Sequence, residues 1–229
     1  MTYHRWQPMG VGMTVTEVRE RPILFSGPMV RAILDGRKTQ TRRVVKPQPE
    51  WVPYPAHVCE PGEPVGFWAW QRTPRNFHDS VHEDFARHNP FGAVGDRLWV
   101  RETWAGLEIG DDVAVSYRAD VPEDAHKFDR WRSPIHMPRW ASRITLEITD
   151  VRVERVQEIS EADAIAEGVT AYADAHLSKG HDRTPVEVFA YLWDSLNAKR
   201  GYGWDVNPWV WVISFRHGQG EIATDGEME

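Results

Sequence analysis

Chemistry is most directly suggested by the stretch D-G-R-K-T-Q-T-R-R, residues 35–43. Between Arg37 and Lys46 stand five bases (Arg37, Lys38, Arg42, Arg43 and Lys46) and no acid. Strand alternation places Lys38, Gln40 and Arg42 on one face and Thr39, Thr41 and Arg43 on the other. A twist or bulge near the start of the strand would still bring Lys38 and Thr41 into one pocket. A partly desolvated lysine beside other cations has a lowered pKa and can act as a base. A threonine hydroxyl within its reach could then attack a carbonyl, as in serine–lysine nucleophile activation. The plain alternative is a solvated basic strand.

A second constellation lies in I-H-M-P-R-W-A-S-R, residues 135–143. His136, Arg139, Trp140 and Arg143 combine cationic forks with a flat indole, a set suited to binding a phosphate and stacking a base. The competing reading is a loop pinned by hydrogen bonds around a half-buried tryptophan. Glu102 and Trp104, just after G-D-R-L-W-V-R-E (95–102), could line the mouth of a pocket or simply end a surface strand. His78 and His82 fall at i and i+4, with Glu83 and His88 nearby. That spacing can hold zinc on a helix, but no third ligand is specified. No metal and no cofactor is expected.

Several elements must position these groups. Arg21 to Ser26 reads as a short strand. Ser26 and Gly27 offer a helix cap with Pro28 at the favoured first position. Met29, Val30, Ile33 and Leu34 form an apolar helical stripe that Gly36 ends. Lys38 to Val45 leaves as a strand. Residues 46–92 are rich in proline and tryptophan and lack periodicity; they predict a long insertion, with a short helix near 79–88, acting as a lid or cover. Further on, Val113, Val115 and Tyr117 alternate, as do Ile144, Leu146 and Ile148. The phase then shifts to Val151 and Val153, which predicts a bulge at Thr149–Asp150. Ser160 starts a short helix that Gly168 closes. Val188, Leu192 and Leu196 mark a helix over 185–197, and Trp209 to Phe215 reads as a buried last strand. Short strands with few inserted helices predict a mixed, β-rich α+β fold, a small closed barrel with peripheral helices. They argue against a parallel sheet. One domain over 21–217 is expected, between an N-terminal arm (1–20) and a disordered acidic tail (218–229).

Composition bounds the partners. The net charge is −7, and residues 221–229 hold four acids and no base, so removing those four charges leaves −3. Non-specific coating of long DNA is not expected of such a chain, because that affinity grows with each phosphate neutralised. A local basic site for a single nucleoside or a short RNA is compatible with it. The twelve tryptophans serve either core packing or base stacking. No run approaches 18 apolar residues, so no membrane partner is expected. The lone Cys59 and the lack of a charged-then-apolar leader predict a cytoplasmic setting.

I-L-D-G-R-K-T-Q-T-R-R closely resembles the G-[RK]-K-T-x-[TE]-x-R signature of ASCH domains. G-D-R-L-W-V-R-E resembles that family's following turn and strand, and I-S-E-A-D-A-I-A-E-G-V (159–169) its later helix. With P-I-H-M-P-R-W-A-S-R and the W-V-W-V-I-S-F ending, the pattern over 21–216 is most similar to ASCH-like proteins encoded in phages and prophages. The resemblance implies a PUA-like barrel and a link to RNA and modified bases. One bacterial branch of the family hydrolyses the amide of N4-acetylcytidine. Its catalytic set corresponds here to Lys38 as base, Thr41 as nucleophile and Glu167 as the residue that orients substrate or relays a proton. Glu161 or Asp163 could instead be that carboxylate. The chain departs from those amidohydrolases in being about twice as long and in carrying the insertion. Four functions compete: an amidohydrolase on an N4-acylated cytidine or similar nucleoside, a non-catalytic RNA or modified-base binding module, a ribonuclease drawing on His136 and the arginines, and a phage accessory protein on the same scaffold.

Overall fold

A computed structural model describes residues 17–53, 66–69, 89–109, 112–122, 130–176 and 183–218. Five strands form the main sheet: β1 (Glu20–Leu24), β2 (Gln40–Val44), β5 (Arg97–Arg101), β8 (Thr145–Arg155) and β9 (Trp209–His217), in the spatial order β1-β5-β8-β9-β2. Only the β1–β5 pair in this sheet is parallel; the others are antiparallel. Two hairpins stand apart from it, β3 (Glu50–Pro53) with β4 (Gly66–Ala69) and β6 (Trp104–Ile109) with β7 (Asp112–Tyr117).

The apolar run of β9 explains its central place. Val210, Trp211, Val212, Ile213 and Phe215 are all buried, as a strand covered on both faces requires. Its long partner β8 slips register between Ile148 and Asp150, where the phase of the apolar pattern changes. Leu146 and Ile148 are buried before the slip, and Val151 and Val153 pack half-buried after it. The backbone of Ile148 is held from outside the ladder: its N–H donates to Asp96 O and its carbonyl accepts from Gly95 N, both at 2.9 Å.

The closed barrel is not what the backbone pairing forms. Among the described residues no ladder joins the edge strands β1 and β2. They are linked by a side chain instead, with Arg43 Nη2 donating to Leu24 O at 2.6 Å. The Arg43 guanidinium also lies over the Phe25 ring, 5.1 Å from its centroid. The fold is a β-rich α+β arrangement around a curled five-stranded sheet.

Four helices cover it: α1 (Gly27–Leu34), α2 (Glu161–Ala166), α3 (Val169–His176) and α4 (Pro185–Asn197). Ser26 occupies the N-cap position of α1 but its side chain makes no cap bond. Ser160 does cap α2, accepting from Asp163 N, and Thr184 with Glu187 forms a capping box on α4. Val30, Ile33, Val188, Phe189, Leu192 and Trp193 join the sheet residues in one core, so helix and strand faces bury each other. Beyond α1, Gly36 takes φ +72°, and the N–H groups of Arg37 and Lys38 both return to Ala32 O. That hairpin-like return aims Lys38 back under the sheet edge.

Of the insertion, the β3–β4 hairpin is described. The helix expected near 79–88, the histidines His78, His82 and His88, and Glu83 lie outside the described residues, as do residues 1–16 and the acidic tail from 219 onward.

Candidate functional site

Lys38 sits where the loop after α1 meets the end of α2. Its ammonium donates to Gln40 O (2.7 Å), Glu167 O (2.7 Å) and Glu167 Oε2 (2.8 Å). Glu167 caps the C-terminus of α2, and Gly168 follows with φ +79°. Both partners are buried, Lys38 at 3% and Glu167 at 4% exposure. Burial lowers the lysine pKa, as do the nearby Arg43 and Arg42 charges, while Glu167 works the other way; the net direction is down. The ammonium also lies 5.5 Å from the Phe25 ring centroid. The Gln40 carbonyl that Lys38 touches belongs to the peptide bond leading into Thr41. Thr41 itself is buried at 4%, in the middle of β2, opposite Ile213.

Thr41 and Arg43 fall on the opposite side of β2 from Gln40 and Arg42, as alternation requires. On the Gln40 side a second ionic group has formed. Arg42 Nη2 meets Glu154 Oε2 (3.1 Å) and Asp163 Oδ2 (3.2 Å), and its Nη1 donates to Gln40 Oε1 (2.6 Å). Arg152 reaches the same Asp163 oxygen at 3.1 Å and also bonds Glu154. Arg42 Nη1 stands 3.5 Å from Glu167 Oε1, close enough for charge attraction but without hydrogen-bond geometry. Glu167 Oε1 is therefore a buried carboxylate oxygen with no hydrogen-bond donor. Such an oxygen costs free energy unless something donates to it, which marks it as the open valence of the cluster.

Of the three carboxylates the sequence left open, then, Glu167 meets Lys38, Asp163 meets Gln40, Arg42 and Arg152, and Glu161 is exposed. Arg37 is exposed and paired with Asp35.

The 135–143 stretch lies beside the parallel β1–β5 edge. Arg143 grips two carboxylates at once: Nε and Nη2 reach Glu102 at 2.9 and 3.1 Å, and Nη1 and Nη2 reach Asp120 at 2.6 and 2.9 Å. Its guanidinium stacks 4.0 Å from the Tyr117 ring centroid. Glu102 is 1% exposed and Trp104 is buried, so both are inside the fold and not at a pocket mouth. Burial raises the Glu102 pKa despite the Arg143 bonds. Arg139 pairs with Glu20. His136 is exposed, and Trp140 is 63% exposed with its ring edge-on to Trp104.

Sequence reasoning passed over Arg130, Trp131, Arg132 and Ser133, which with His136 line a cleft of about 400 Å³. The R-W-R triplet was a visible signal, but it carries no periodicity that would single it out.

No family model matches the chain, and no curated protein does. A solved structure, protein EF3133 from Enterococcus faecalis V583, described under family model DUF984, is similar at 10% identity over 88% of this chain and 82% of that one, with a TM-score of 0.38. A likeness this loose carries no functional argument.

Proposed function

We propose that this chain is an ASCH-like, PUA-type protein that hydrolyses the amide of an N4-acylated cytidine or a related modified nucleoside, with Lys38, Thr41 and Glu167 as its working set. The observation that carries the reading is the buried 2.8 Å contact between Lys38 Nζ and Glu167 Oε2, formed across 129 residues of sequence. A lysine serves as a base only when neutral, and the downward shift of its pKa moves it in that direction. Glu167 is placed to take the proton that Lys38 must first give up. Neutral Lys38 then accepts the Thr41 hydroxyl proton while Thr41 Oγ attacks the acyl carbon. The tetrahedral oxyanion collapses, the bond to the cytosine N4 breaks, and that amine leaves with a proton from Lys38. Water then cleaves the threonine ester, releasing the carboxylic acid and restoring the hydroxyl. The three side chains are closed off from solvent, so substrate entry requires displacement of a covering side chain. Phe25 and Arg43 are the two that lie next to Lys38.

A second reading has its own observation. All three ammonium protons of Lys38 are already used by protein acceptors, as expected of a structural latch joining α2 to β2. On that reading the protein binds RNA or a modified base without chemistry.

Chromatography of reactions with N4-acetylcytidine separates the two. Conversion to cytidine by the wild type, lost in both Lys38→Ala and Thr41→Ala, establishes the hydrolase. Absence of conversion by folded wild-type protein rules it out in favour of the binding module.

A further inference from the structure

We infer that the cleft lined by Arg130, Trp131, Arg132, Ser133 and His136 binds a nucleotide phosphate, with Trp140 as a neighbouring stacking platform, so that the ligand is a phosphorylated nucleotide or short strand and not a bare nucleoside. The choice of ligand rests on the nucleoside-handling reading above; the cleft itself stands on its own geometry.

The chain is acidic overall, yet no carboxylate lines this cleft of about 400 Å³. Among the described residues neither Arg130 nor Arg132 has a carboxylate within ion-pair distance, whereas Arg139 and Arg143, a few residues on, are both paired. Two arginine forks without counter-charges are suited to a phosphate, which each can bind in bidentate fashion. Their frame is anchored. The backbone of Arg132 exchanges two hydrogen bonds with Trp104 (2.8 and 3.3 Å), and its guanidinium lies 5.0 Å from the Trp104 ring centroid. The turn of 3-10 helix at Pro134–His136 is tied down by Arg101 Nη1 donating to Ile135 O at 3.2 Å. Arg118 lies over the Trp131 ring at 5.8 Å, and the exposed Trp140 ring stands edge-on to Trp104 at 5.9 Å. A cationic groove beside an exposed indole is the combination that holds single strands, since phosphates meet the cations and bases stack on the ring.

The cleft is joined to the Lys38 cluster through two residues. Arg101, which holds the cleft turn, accepts from Phe25 N through its own carbonyl at 3.1 Å. The Phe25 ring in turn lies against Lys38. A phosphate in the cleft would therefore lie on the side of the molecule from which Phe25 gates the buried lysine.

The test is fluorescence anisotropy with a labelled eight-nucleotide oligouridine RNA, on wild type and on Arg130→Gln/Arg132→Gln, with circular dichroism to confirm folding. The wild type should bind. The double variant should bind at least about tenfold more weakly, and its log–log salt slope should fall by roughly 1.4, about 0.7 for each lost phosphate contact on a single strand. Competition with cytidine 5′-monophosphate identifies the source: displacement means one nucleotide suffices, and no displacement means a strand is required. Absence of binding by the wild type, or equal affinity and slope in the double variant, overturns the inference. Because the RNA is unmodified and no turnover is read, failure of the hydrolase reading leaves this test intact.

Discussion

Gly168 lies directly against Lys38. A β-carbon built on Gly168 would stand 3.1 Å from Lys38 Cβ and 3.2 Å from Ala32 Cβ, and the residue holds φ +79°. Backbone, helix α1 and the candidate lysine are thus packed at the same point, immediately after the glutamate that pairs with that lysine.

Gly168→Ala should lower stability by about 1–3 kcal/mol, combining left-handed strain with the overpacked contact. Denaturant midpoints measure this. A midpoint equal to wild type would mean that the helix end shifts freely and that Lys38 is not held by it.

Glu167→Gln should be more costly than its small change in shape suggests, about 3–5 kcal/mol, because it strips the counter-charge from a buried ammonium. Replacing both partners by apolar groups, as in Lys38→Met/Glu167→Leu, should recover part of that loss. A double variant as unstable as the sum of its two single changes would show that the pair is not energetically coupled.

Thr41→Val keeps the volume of the side chain and removes the hydroxyl. Under the hydrolase reading, turnover of N4-acetylcytidine should fall by at least about 10³-fold, with stability within roughly 1.5 kcal/mol of wild type. Retained turnover would remove Thr41 from the mechanism, and oligouridine binding should be unaffected in either case.

Asp163 carries a pH signature. Burial alone would raise its pKa, but the Gln40 bond and the charges of Arg42 and Arg152 outweigh that and hold it below the ordinary 3.8. Its ionised form therefore stabilises the fold above the unfolded value, and that contribution disappears as pH falls through the lower folded value. The stability difference between wild type and Asp163→Asn should be flat above about pH 4.5, where an ordinary carboxyl of pKa near 3.9 is mostly ionised, and should shrink below 3.8. A difference that grows with acidification would contradict the assigned contacts.

Arg143→Lys removes the planar fork that spans Glu102 and Asp120. A single ammonium cannot reproduce those four contacts, so a loss of about 2–4 kcal/mol is expected, mainly from leaving the buried Glu102 carboxylate under-bonded. Thermal unfolding of the single variant checks it.

Much of the local order was legible without coordinates. The phase change after Ile148 announced the slip in β8, because side-chain alternation cannot shift by one without an irregular residue. The Ser160 cap, the Gly168 stop, the helix over 185–197 and the buried last strand all follow from rules that act within a few residues. The basic run 37–46 was equally plain as composition. Which of those bases stay free was not. Arg42 and Arg143 are consumed by carboxylates more than forty residues away, and Glu167 in preference to Glu161 or Asp163 meets Lys38. Pairings of that kind depend on how the sheet curls and where α2 lands, and no local pattern encodes either. The edges bridged by Arg43 in place of a closing ladder, and the cleft at Arg130–His136, have the same origin: sequence set the residue types and the local turns, and long-range packing alone decided which charges were neutralised and which were left facing outward.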